Sequence, residues 1–328
     1  MKTYTIVFDI GGLFIKTAVM NELGKLVPDS YMIYPSKSQE AKDELLAHFI
    51  ELIKQQTNRI MDKTFRIDGV GYAFPGPFDY EKGISYIRGI DKFESIYGVN
   101  LREELTVRLA KESWFADKHS PDFQIVFEND ANLFALGEYA AGKAASYGRA
   151  LFLTIGTGAG SAFLEEGVLV KHREDVPENG WVYNQPFRES IVDDYISKRG
   201  IVRLMREAGM DDTALDVKQA AELARGGDPK AIVVFQRFGD SVGEMLLPFL
   251  KAFRPEAVIL GGQIVKSQDL FLYRVKQALG GCGVALEVTE DTSLSAFAGV
   301  SLLLRQTING TKARENDGRN SGHSRLPS

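Results

Sequence analysis

The stretch TYTIVFDIGGLFIKTAVM, residues 3–20, places two β-rich segments on either side of a pair of glycines. Residues 4–9 and 13–20 are rich in β-branched and aromatic side chains, which predicts two strands. Gly11 and Gly12 interrupt the pattern, because glycine adopts turn conformations that other residues avoid. The stretch therefore predicts a hairpin of two strands with glycine at its tip.

The same arrangement recurs in the second half of the chain. Residues 149–155 are β-rich and end in the glycine-containing turn GTGAG at 156–160, and further strand candidates follow at 161–164 and 168–171. Segments with helical spacing separate and follow the two strand groups. A repeated supersecondary unit of this kind indicates two similar lobes. We therefore expect an α/β protein whose two lobes each contain a mixed β-sheet with helices.

The order of these segments gives the expected domain boundaries. Residues 1–118 should form a small N-terminal α/β lobe and residues 119–291 a larger C-terminal α/β lobe. A helix near 292–305 is expected to pack back on the first lobe. Residues 306–328 lack apolar periodicity and are rich in Gly, Asn, Ser and charge, so we predict a disordered tail.

Composition excludes several classes of function. The 328 residues include 39 Lys and Arg against 44 Asp and Glu, a net charge of -5, and no dense basic stripe suggests nucleic acid as a partner. No window approaches the roughly 20 apolar residues of a membrane-spanning helix, so no membrane association is expected. Cys282 is the single cysteine and cannot form an internal disulfide. With no signal-peptide pattern at the N-terminus, these features predict a cytoplasmic protein.

Three predicted strands end in glycine-rich turns, at 9–12, 156–160 and 261–263. Because glycine lets backbone amides approach an anion closely, each turn is a candidate phosphate site. For any one turn taken alone, a tight hairpin or a close backbone crossing is the favoured explanation. No G-x-x-x-x-G-K-[ST] motif occurs, and the dinucleotide pattern fails at Ser161, where its third glycine should stand.

Polar residues beside these turns suggest phosphoryl-transfer chemistry. Asp9 precedes the first turn, where a carboxylate could hold Mg²⁺, and Thr157 could donate a hydrogen bond to a phosphate oxygen. Asn129 and Asp130 stand just before an apolar helix. The Asp130 carboxylate could accept a proton from an attacking hydroxyl or could merely cap that helix.

Taken in order, five blocks resemble the bacterial ROK family of sugar kinases, which belongs to the hexokinase, actin and Hsp70 ATPase superfamily. The blocks are FDIGGLFIK at 8–16, PGPFD at 75–79, ENDAN at 128–132, TIGTGAGSAF at 154–163 and VILGG at 258–262. The resemblance implies a two-lobed ribonuclease H-like fold of the actin-like ATPase type. It also implies ATP and Mg²⁺ as cofactors, a small-molecule sugar as substrate and a homodimer.

The resemblance assigns roles residue by residue. It implies that the catalytic base is Asp130 and that Asn129, Asp130 and Gly76 bind the sugar. The residues implied for ATP and its phosphates are Asp9, Gly11, Gly12, Gly156, Thr157, Gly158, Gly261 and Gly262, with Asp9 holding Mg²⁺ through ATP.

The sequence departs from the family in its sugar-recognition half. The family's Glu-x-Gly-His element is here Glu178-Asn179-Gly180-Trp181, so Glu178 carries over as a hydroxyl ligand, while Trp181 would contact the sugar but cannot ligate metal. Residues 183–194 contain no Cys or His, so we predict no structural zinc, as in the subset that includes β-glucoside kinases. Asp193 stands where the family has a sugar-binding Glu, and Leu13 replaces a threonine beside the phosphates.

The predicted function is transfer of the γ-phosphate of ATP to a hydroxyl of a hexose or hexose derivative, either glucose-like or a β-glucoside. The departures at Leu13 and Trp181 leave open a weak or inactive sugar-binding protein that acts as a sensor or regulator. Family repressors carry an N-terminal helix-turn-helix domain, and the first strand here begins near Tyr4, so we expect no DNA binding. An ATPase of the actin and Hsp70 kind is disfavoured by PGPFD, ENDAN and Glu178-Asn179-Gly180.

Overall fold

A computed structural model describes residues 1–89, 91–210, 215–289 and 291–321, with only the backbone described for 312–321. By its internal contacts the chain divides into two compact units. The first unit comprises Met1–Leu133 and Ala296–Ser328, and the second comprises Phe134–Ser295.

The first unit is built on a sheet in the order β3-β2-β1-β4-β7. Neighbouring strands are antiparallel from β3 to β1 and parallel from β1 to β7. Its strands are β1 (Lys2–Ile10), β2 (Phe14–Asn21), β3 (Met32–Pro35), β4 (Phe65–Ala73), β5 (Phe78–Asp79), β6 (Ile84–Ser85) and β7 (His119–Glu128), and β5 pairs only with β6. Its helices are α1 (Lys42–Thr57), α2 (Leu101–Leu109) and α3 (Ser113–Ala116), with a 3₁₀ turn at Glu94–Ile96.

Aromatic side chains hold the three parallel strands together. Tyr72 of β4 stacks on Phe8 of β1, with ring centroids 4.7 Å apart, and on Phe127 of β7 at 4.9 Å. Helix α1 packs on the same core because its apolar residues recur every three or four positions along one face. The buried residues of that face include Leu45, Leu46, Phe49, Leu52 and Ile53.

The pairing of β7 changes the expected lobe boundary. The sequence suggested that the second lobe begins at residue 119, but Gly69 to Ala73 of β4 pair with Gln124 to Glu128 of β7. Residues 119–128 therefore belong to the sheet of the first unit. Their short apolar pattern fits a buried strand in either sheet, and only long-range pairing distinguishes the two.

The second unit contains a sheet in the order β10-β9-β8-β13-β14. Its strands are β8 (Arg149–Ile155), β9 (Ala159–Glu165), β10 (Val168–Leu169), β11 (Pro186–Phe187), β12 (Ser190–Ile191), β13 (Ala257–Gly261) and β14 (Ala285–Val288). Strands β8 to β10 are antiparallel, and β13 pairs in parallel with β8 and β14. The predicted repeat is confirmed, because strand order and direction match those of the first sheet.

Helices supply most of the core of the second unit. They are α4 (Asp130–Ala141), whose first turn lies in the first unit, α5 (Val192–Tyr195), α6 (Lys198–Glu207), α7 (Val217–Arg225), α8 (Pro229–Phe253) and α9 (Gln268–Ala278), with 3₁₀ turns at Glu178–Gly180 and Ile264–Ser267. Two glycines let α8 and α9 approach closely: a β-carbon at Gly239 would lie 2.5 Å from the Phe271 carbonyl oxygen, and one at Gly243 would lie 2.4 Å from the Ala278 β-carbon. Glycine at these two positions therefore permits the short distance between α8 and α9.

The last helix, α10 (Thr292–Ser321), packs Val300 and Leu304 against Gly71 and Gly69 of β4. The sequence suggested a disordered tail from residue 306, but residues 306–321 continue α10, and residues 322–328 lie outside the described part. No proline occurs between 292 and 321, so continued i to i−4 hydrogen bonding meets no break. In the described residues, no helix combines the length and apolar character needed to cross a membrane.

Candidate active site

Asp9 lies at the end of β1, directly across the hairpin from Lys16. The Lys16 Nζ is 3.1 Å from the Asp9 Oδ2, and the Asp9 side chain is 24% exposed. The hairpin tip is tight, since the Gly11 N–H donates to the Phe14 carbonyl at 2.9 Å and a β-carbon at Gly11 would lie 2.7 Å from that oxygen. Gly11 is therefore required by the hairpin itself, and the hairpin places the Asp9 carboxylate beside a lysine.

The carbonyl group of Gly12 is bound by two serines that the sequence analysis did not single out. Ser36 Oγ donates to it at 2.6 Å and Ser38 Oγ at 2.8 Å. Leu13 presents a largely exposed apolar side chain beside them. The turn is thus fixed through its carbonyl oxygen, and Leu13 brings no hydroxyl to it. No local pattern indicates this contact, because 24 residues separate Gly12 from Ser36.

Asn129 and Asp130 lie at the junction of β7 and α4. The Ala131 N–H donates to Asn129 Oδ1 at 3.0 Å and to Asp130 Oδ1 at 2.9 Å, so both side chains contribute to the helix cap. Within the described residues, Asp130 Oδ2 has no hydrogen-bond partner. The capping interpretation and the catalytic one are therefore compatible, since one carboxylate oxygen caps and the other is available.

Glu128 fixes the geometry of this junction. Its buried carboxylate accepts hydrogen bonds from the Asn129 N–H and from the Asn132 Nδ2, both at 2.9 Å. Glu128 belongs to the ENDAN block but was given no role from sequence. Holding Asn129 and Asn132 from one buried carboxylate sets the direction in which α4 leaves the sheet.

The electrostatic environment raises the pKa of the Asp130 carboxyl above its usual value. The main cause is burial, the second is the negative charge of Asp9, and the Ala131 N–H partly offsets both. Asp130 is an exposed residue, so a substrate hydroxyl can reach it. A carboxylate with a raised pKa is a stronger base toward a hydroxyl proton.

Gly76 follows β4 in the PGPFD block. The preceding Phe74 N–H donates to the Glu128 carbonyl at 3.0 Å, and Tyr80 Oη donates to the Phe74 carbonyl at 2.9 Å. The Gly76–Pro77 peptide is cis. These bonds tie the PGPFD segment to the end of β7, next to Asn129.

In the second unit, the glycine turn between β8 and β9 exposes Thr157 and Gly158. The Gly156 N–H donates to the Gly158 carbonyl, and the Gly156 carbonyl accepts from the Lys198 N–H, both at 2.9 Å. The turn is therefore closed on itself and held at the start of α6. Its exposed residues, Thr157 and Gly158, are accessible to solvent, as an anion site requires.

Asp193 lies against this turn. Its Oδ1 accepts the Ala159 N–H at 2.7 Å, and its Oδ2 is paired with Arg199. The side chain is only 14% exposed. Both carboxylate oxygens are thus engaged by the protein, in contrast to the sugar contact that the sequence analysis expected. The shorter Asp side chain, in place of the family's Glu, meets the backbone of the turn instead.

The predicted adenosine glycines also have structural reasons to be glycine. Gly262 has φ +97°, and a β-carbon there would lie 2.4 Å from the Ile155 carbonyl oxygen. At Gly261, the space that a β-carbon would need is occupied by the side chains of Thr292 and Phe134. Gly262 therefore lets the end of β13 lie against Ile155, the last residue before the 156–160 turn.

A cavity of about 430 Å³ opens beside these elements, wholly within the second unit. Its size is in the range of small-molecule sites. Its lining includes Gly156, Thr157, Lys198, Lys218, Arg225 and Gln263. The cavity joins the glycine turn to the residue after Gly262, and its charged lining contains Asp216 and Glu222 as well as the basic residues.

Glu178 and Trp181 lie at the 3₁₀ turn of the second unit. Glu178 is 74% exposed, with its Oε1 3.0 Å from His172 Nδ1, and the Trp181 ring lies 5.9 Å from that of Tyr183. Ser161 fixes the segment, because its hydroxyl donates to the Gly180 carbonyl and accepts from the Val182 N–H. His172 had no signal in the sequence as a partner of Glu178.

Metal ligands are sparse in this structure. Across the part of the chain that is described, no group of three or more His, Cys, Asp and Glu side chains is arranged to hold a metal ion. Asp9 is a single carboxylate at a strand end, which matches the way Mg²⁺ is held by one or two carboxylates together with substrate phosphates.

A family model described as the ROK family matches residues 5–282. This chain belongs to the ROK family. The glucokinase of Thermotoga maritima is 26% identical over 295 residues, covering 82% of this chain and 84% of the relative. The β-glucoside kinase of Klebsiella pneumoniae is 24% identical, covering 85% and 87%. ROK sugar kinases are thus similar to this chain over most of its length.

Solved structures support the same fold. A ROK family glucokinase from Streptomyces griseus, in complex with glucose and AMPPNP, superimposes with a TM-score of 0.66 at 21% identity, over 92% of this chain and 99% of that one. The predicted α/β, ribonuclease H-like fold is confirmed. ROK regulators are also similar: the xylose repressor of Bacillus subtilis is 22% identical over 82% of this chain and 66% of its own length.

Proposed function

We propose that this ROK protein is an ATP-dependent sugar kinase that transfers the γ-phosphate to a hydroxyl of a hexose or hexose derivative, glucose-like or a β-glucoside. The observation that carries the proposal is the Asp130 carboxylate, solvent-accessible at the β7–α4 junction, with one oxygen available and a raised pKa. The similarity of the chain to glucokinases and a β-glucoside kinase supports the reaction class.

In the proposed mechanism, Asp130 accepts the proton of the attacking hydroxyl, and Asn129 and Gly76 orient the sugar beside it. Glu178 binds a second hydroxyl, and the apolar face of the sugar packs on Trp181. Phosphoryl transfer is accelerated mainly by positioning and charge stabilisation, so these contacts account for most of the rate acceleration.

The nucleotide is proposed to bind through both glycine turns, with its phosphates on Gly11, Gly12, Gly156, Thr157 and Gly158 and its adenosine near Gly261 and Gly262. Asp9 would hold Mg²⁺, which neutralises charge on the phosphates when bound. We expect no structural zinc, a cytoplasmic location and a homodimer.

A coupled ADP-release assay over hexoses, amino sugars and β-glucosides, with Mg-ATP, tests the proposal. We expect turnover that depends on both sugar and ATP for at least one member of the panel. The alternative is a sugar sensor, favoured by Leu13 in place of a threonine and by the similarity to the xylose repressor. Saturable sugar binding by calorimetry, with no ADP release on any sugar, would support the sensor and contradict the kinase.

Replacing Asp193 with alanine is expected to raise the KM for Mg-ATP several-fold and to leave the KM for sugar within about twofold. The substitution leaves the buried Ala159 N–H unpaired, which costs about 1–3 kcal/mol and loosens the turn that binds phosphate. Steady-state kinetics with each substrate varied in turn measure the effect.

Asp194→Ala is the matched control, because Asp194 lies near the same Arg199 but is 43% exposed and has no contact with the turn. The control should match the wild type in both KM values. A selective rise of the sugar KM in Asp193→Ala would instead show that Asp193 binds sugar, as the family Glu does.

A further inference from the structure

Lys92 lies over the first glycine turn. Its Cδ and Nζ are 2.8 and 3.3 Å from the position that a β-carbon at Gly12 would occupy. The absence of a side chain at Gly12 therefore leaves room for the lysine, and the ammonium group lies beside the turn that we propose binds phosphate.

Two consecutive contacts fix the segment that carries Lys92. Phe93 is fully buried against Phe74, with ring centroids 5.5 Å apart, and its N–H donates to the Ser38 carbonyl at 2.6 Å. Ser38 in turn donates its hydroxyl to the Gly12 carbonyl. Lys92 is thus connected to the turn through Phe93 and Ser38. Because Phe93 packs in the core, the backbone position of Lys92 is fixed as well.

Lys92 carries a positive charge beside the first glycine turn. The side chain is half-buried, and among the described residues no carboxylate lies within ion-pair distance of its Nζ. The other charged residues that line the same cavity, of about 490 Å³, are Lys37, Glu40 and Asp91. Neither carboxylate is ion-paired with Lys92, so its ammonium group is available to bind an incoming anion.

We propose that Lys92 binds the terminal phosphate of the nucleotide. This inference rests on the proposed kinase function and identifies a contact for its transferred group. The lysine supplies a donor on the turn where Leu13 brings no hydroxyl. During transfer, the bond from phosphorus to the ADP oxygen breaks and a bond to the sugar oxygen forms. The hydroxyl proton goes to Asp130, and Lys92 stays protonated.

The test compares nucleotides with and without the terminal phosphate. In Lys92→Met, we expect the affinity for Mg-AMPPNP, measured by calorimetry, to fall about tenfold or more, since a charge-assisted hydrogen bond is lost. The affinity for Mg-ADP, which lacks that phosphate, should stay within about twofold. Lys92→Arg should recover part of the loss. Lys63→Met is the control, because Lys63 is an exposed lysine of the same unit.

Three results would overturn the proposal: equal weakening of both nucleotides, no change in either, or failure of the wild type to bind Mg-AMPPNP. Thermal unfolding of Lys92→Met should match the control, which separates a binding effect from misfolding. The outcome is independent of turnover. If the wild type phosphorylates no sugar but the nucleotide contrast holds, the kinase function fails and the phosphate contact stands.

Discussion

Replacing Asp130 with asparagine is expected to lower kcat for sugar phosphorylation by about 10²–10⁴-fold, the usual contribution of a general base. Asparagine preserves the size of the side chain and can still accept the Ala131 N–H, so the cap of α4 is retained. Only the ability to accept the hydroxyl proton is lost. The KM for Mg-ATP should change little, because the proposed nucleotide contacts involve other residues.

The same substitution should stabilise the folded protein at neutral pH. Because the pKa of Asp130 is raised in the folded state, the folded state holds a proton that the unfolded state releases as pH rises above about 3.9. The penalty for the charged carboxylate therefore develops as pH rises from about 3.9 to the raised pKa, is complete above that pKa and is absent well below pH 4. We expect Asp130→Asn to exceed the wild type in unfolding free energy at pH 7 and to match it at pH 3.5.

The pH dependence of wild-type turnover gives a third readout of this carboxylate. Since the base acts only when deprotonated, kcat should fall as pH decreases through the raised pKa, above the range of an ordinary Asp. Asp117→Asn is the control, as Asp117 is an exposed carboxylate at the end of α3, and its kinetics and stability should equal those of the wild type. Near-normal kcat in Asp130→Asn would show that another group is the base.

Replacing Gly262 with alanine is expected to lower the free energy of unfolding by about 2–5 kcal/mol, the sum of left-handed backbone strain and overpacking. The residue has φ +97°, and the added carbon would meet the Ile155 backbone, with the oxygen at 2.4 Å and the nitrogen at 2.7 Å. Backbone atoms in a strand cannot move aside as the end of a flexible side chain can. Urea unfolding measures the loss.

Gly281→Ala separates the two causes. Gly281 has a similar φ of +92°, but nothing lies within 4 Å of its added β-carbon. The control should therefore lose only the conformational term, about 1–2 kcal/mol. In Gly262→Ala, displacement of Ile155 should also shift the 156–160 turn and raise the KM for Mg-ATP. Equal stability losses in the two variants would mean that the approach of Gly262 to the Ile155 backbone is not tight.

Much of the fold could be predicted from sequence because its signals are local. The strand, glycine turn and second strand of residues 3–20 are determined by β-branched residues and glycine within one short segment, and their recurrence at 149–164 indicated the repeat. The lobe boundary could not be predicted in the same way. Residues 119–128 show only a short apolar run, and pairing with β4 decides where it belongs.

In the candidate site, too, local features could be predicted from sequence and long-range contacts could not. ENDAN identified Asp130 and Asn129 as candidates, but not that Glu128 holds Asn129 and Asn132 or that one oxygen of Asp130 is engaged in the cap. For Asp193, similarity to the family segment predicted a sugar contact, which stays a prediction, and it gave no sign that the carboxylate accepts the Ala159 N–H. A side chain shorter by one methylene reaches different partners, and sequence similarity does not measure that reach.

The sequence by itself determined the two repeated strand groups, the glycine turns and the carboxylate that is the candidate base. These follow from backbone preferences and from residue chemistry at fixed spacing, which act over a few positions. Tertiary structure alone decided that Ser36 and Ser38 hold Gly12, that Lys92 lies over the first turn and that the pKa of Asp130 is raised. Each of these depends on atoms that folding brings together from distant parts of the chain, and on the water that their packing displaces.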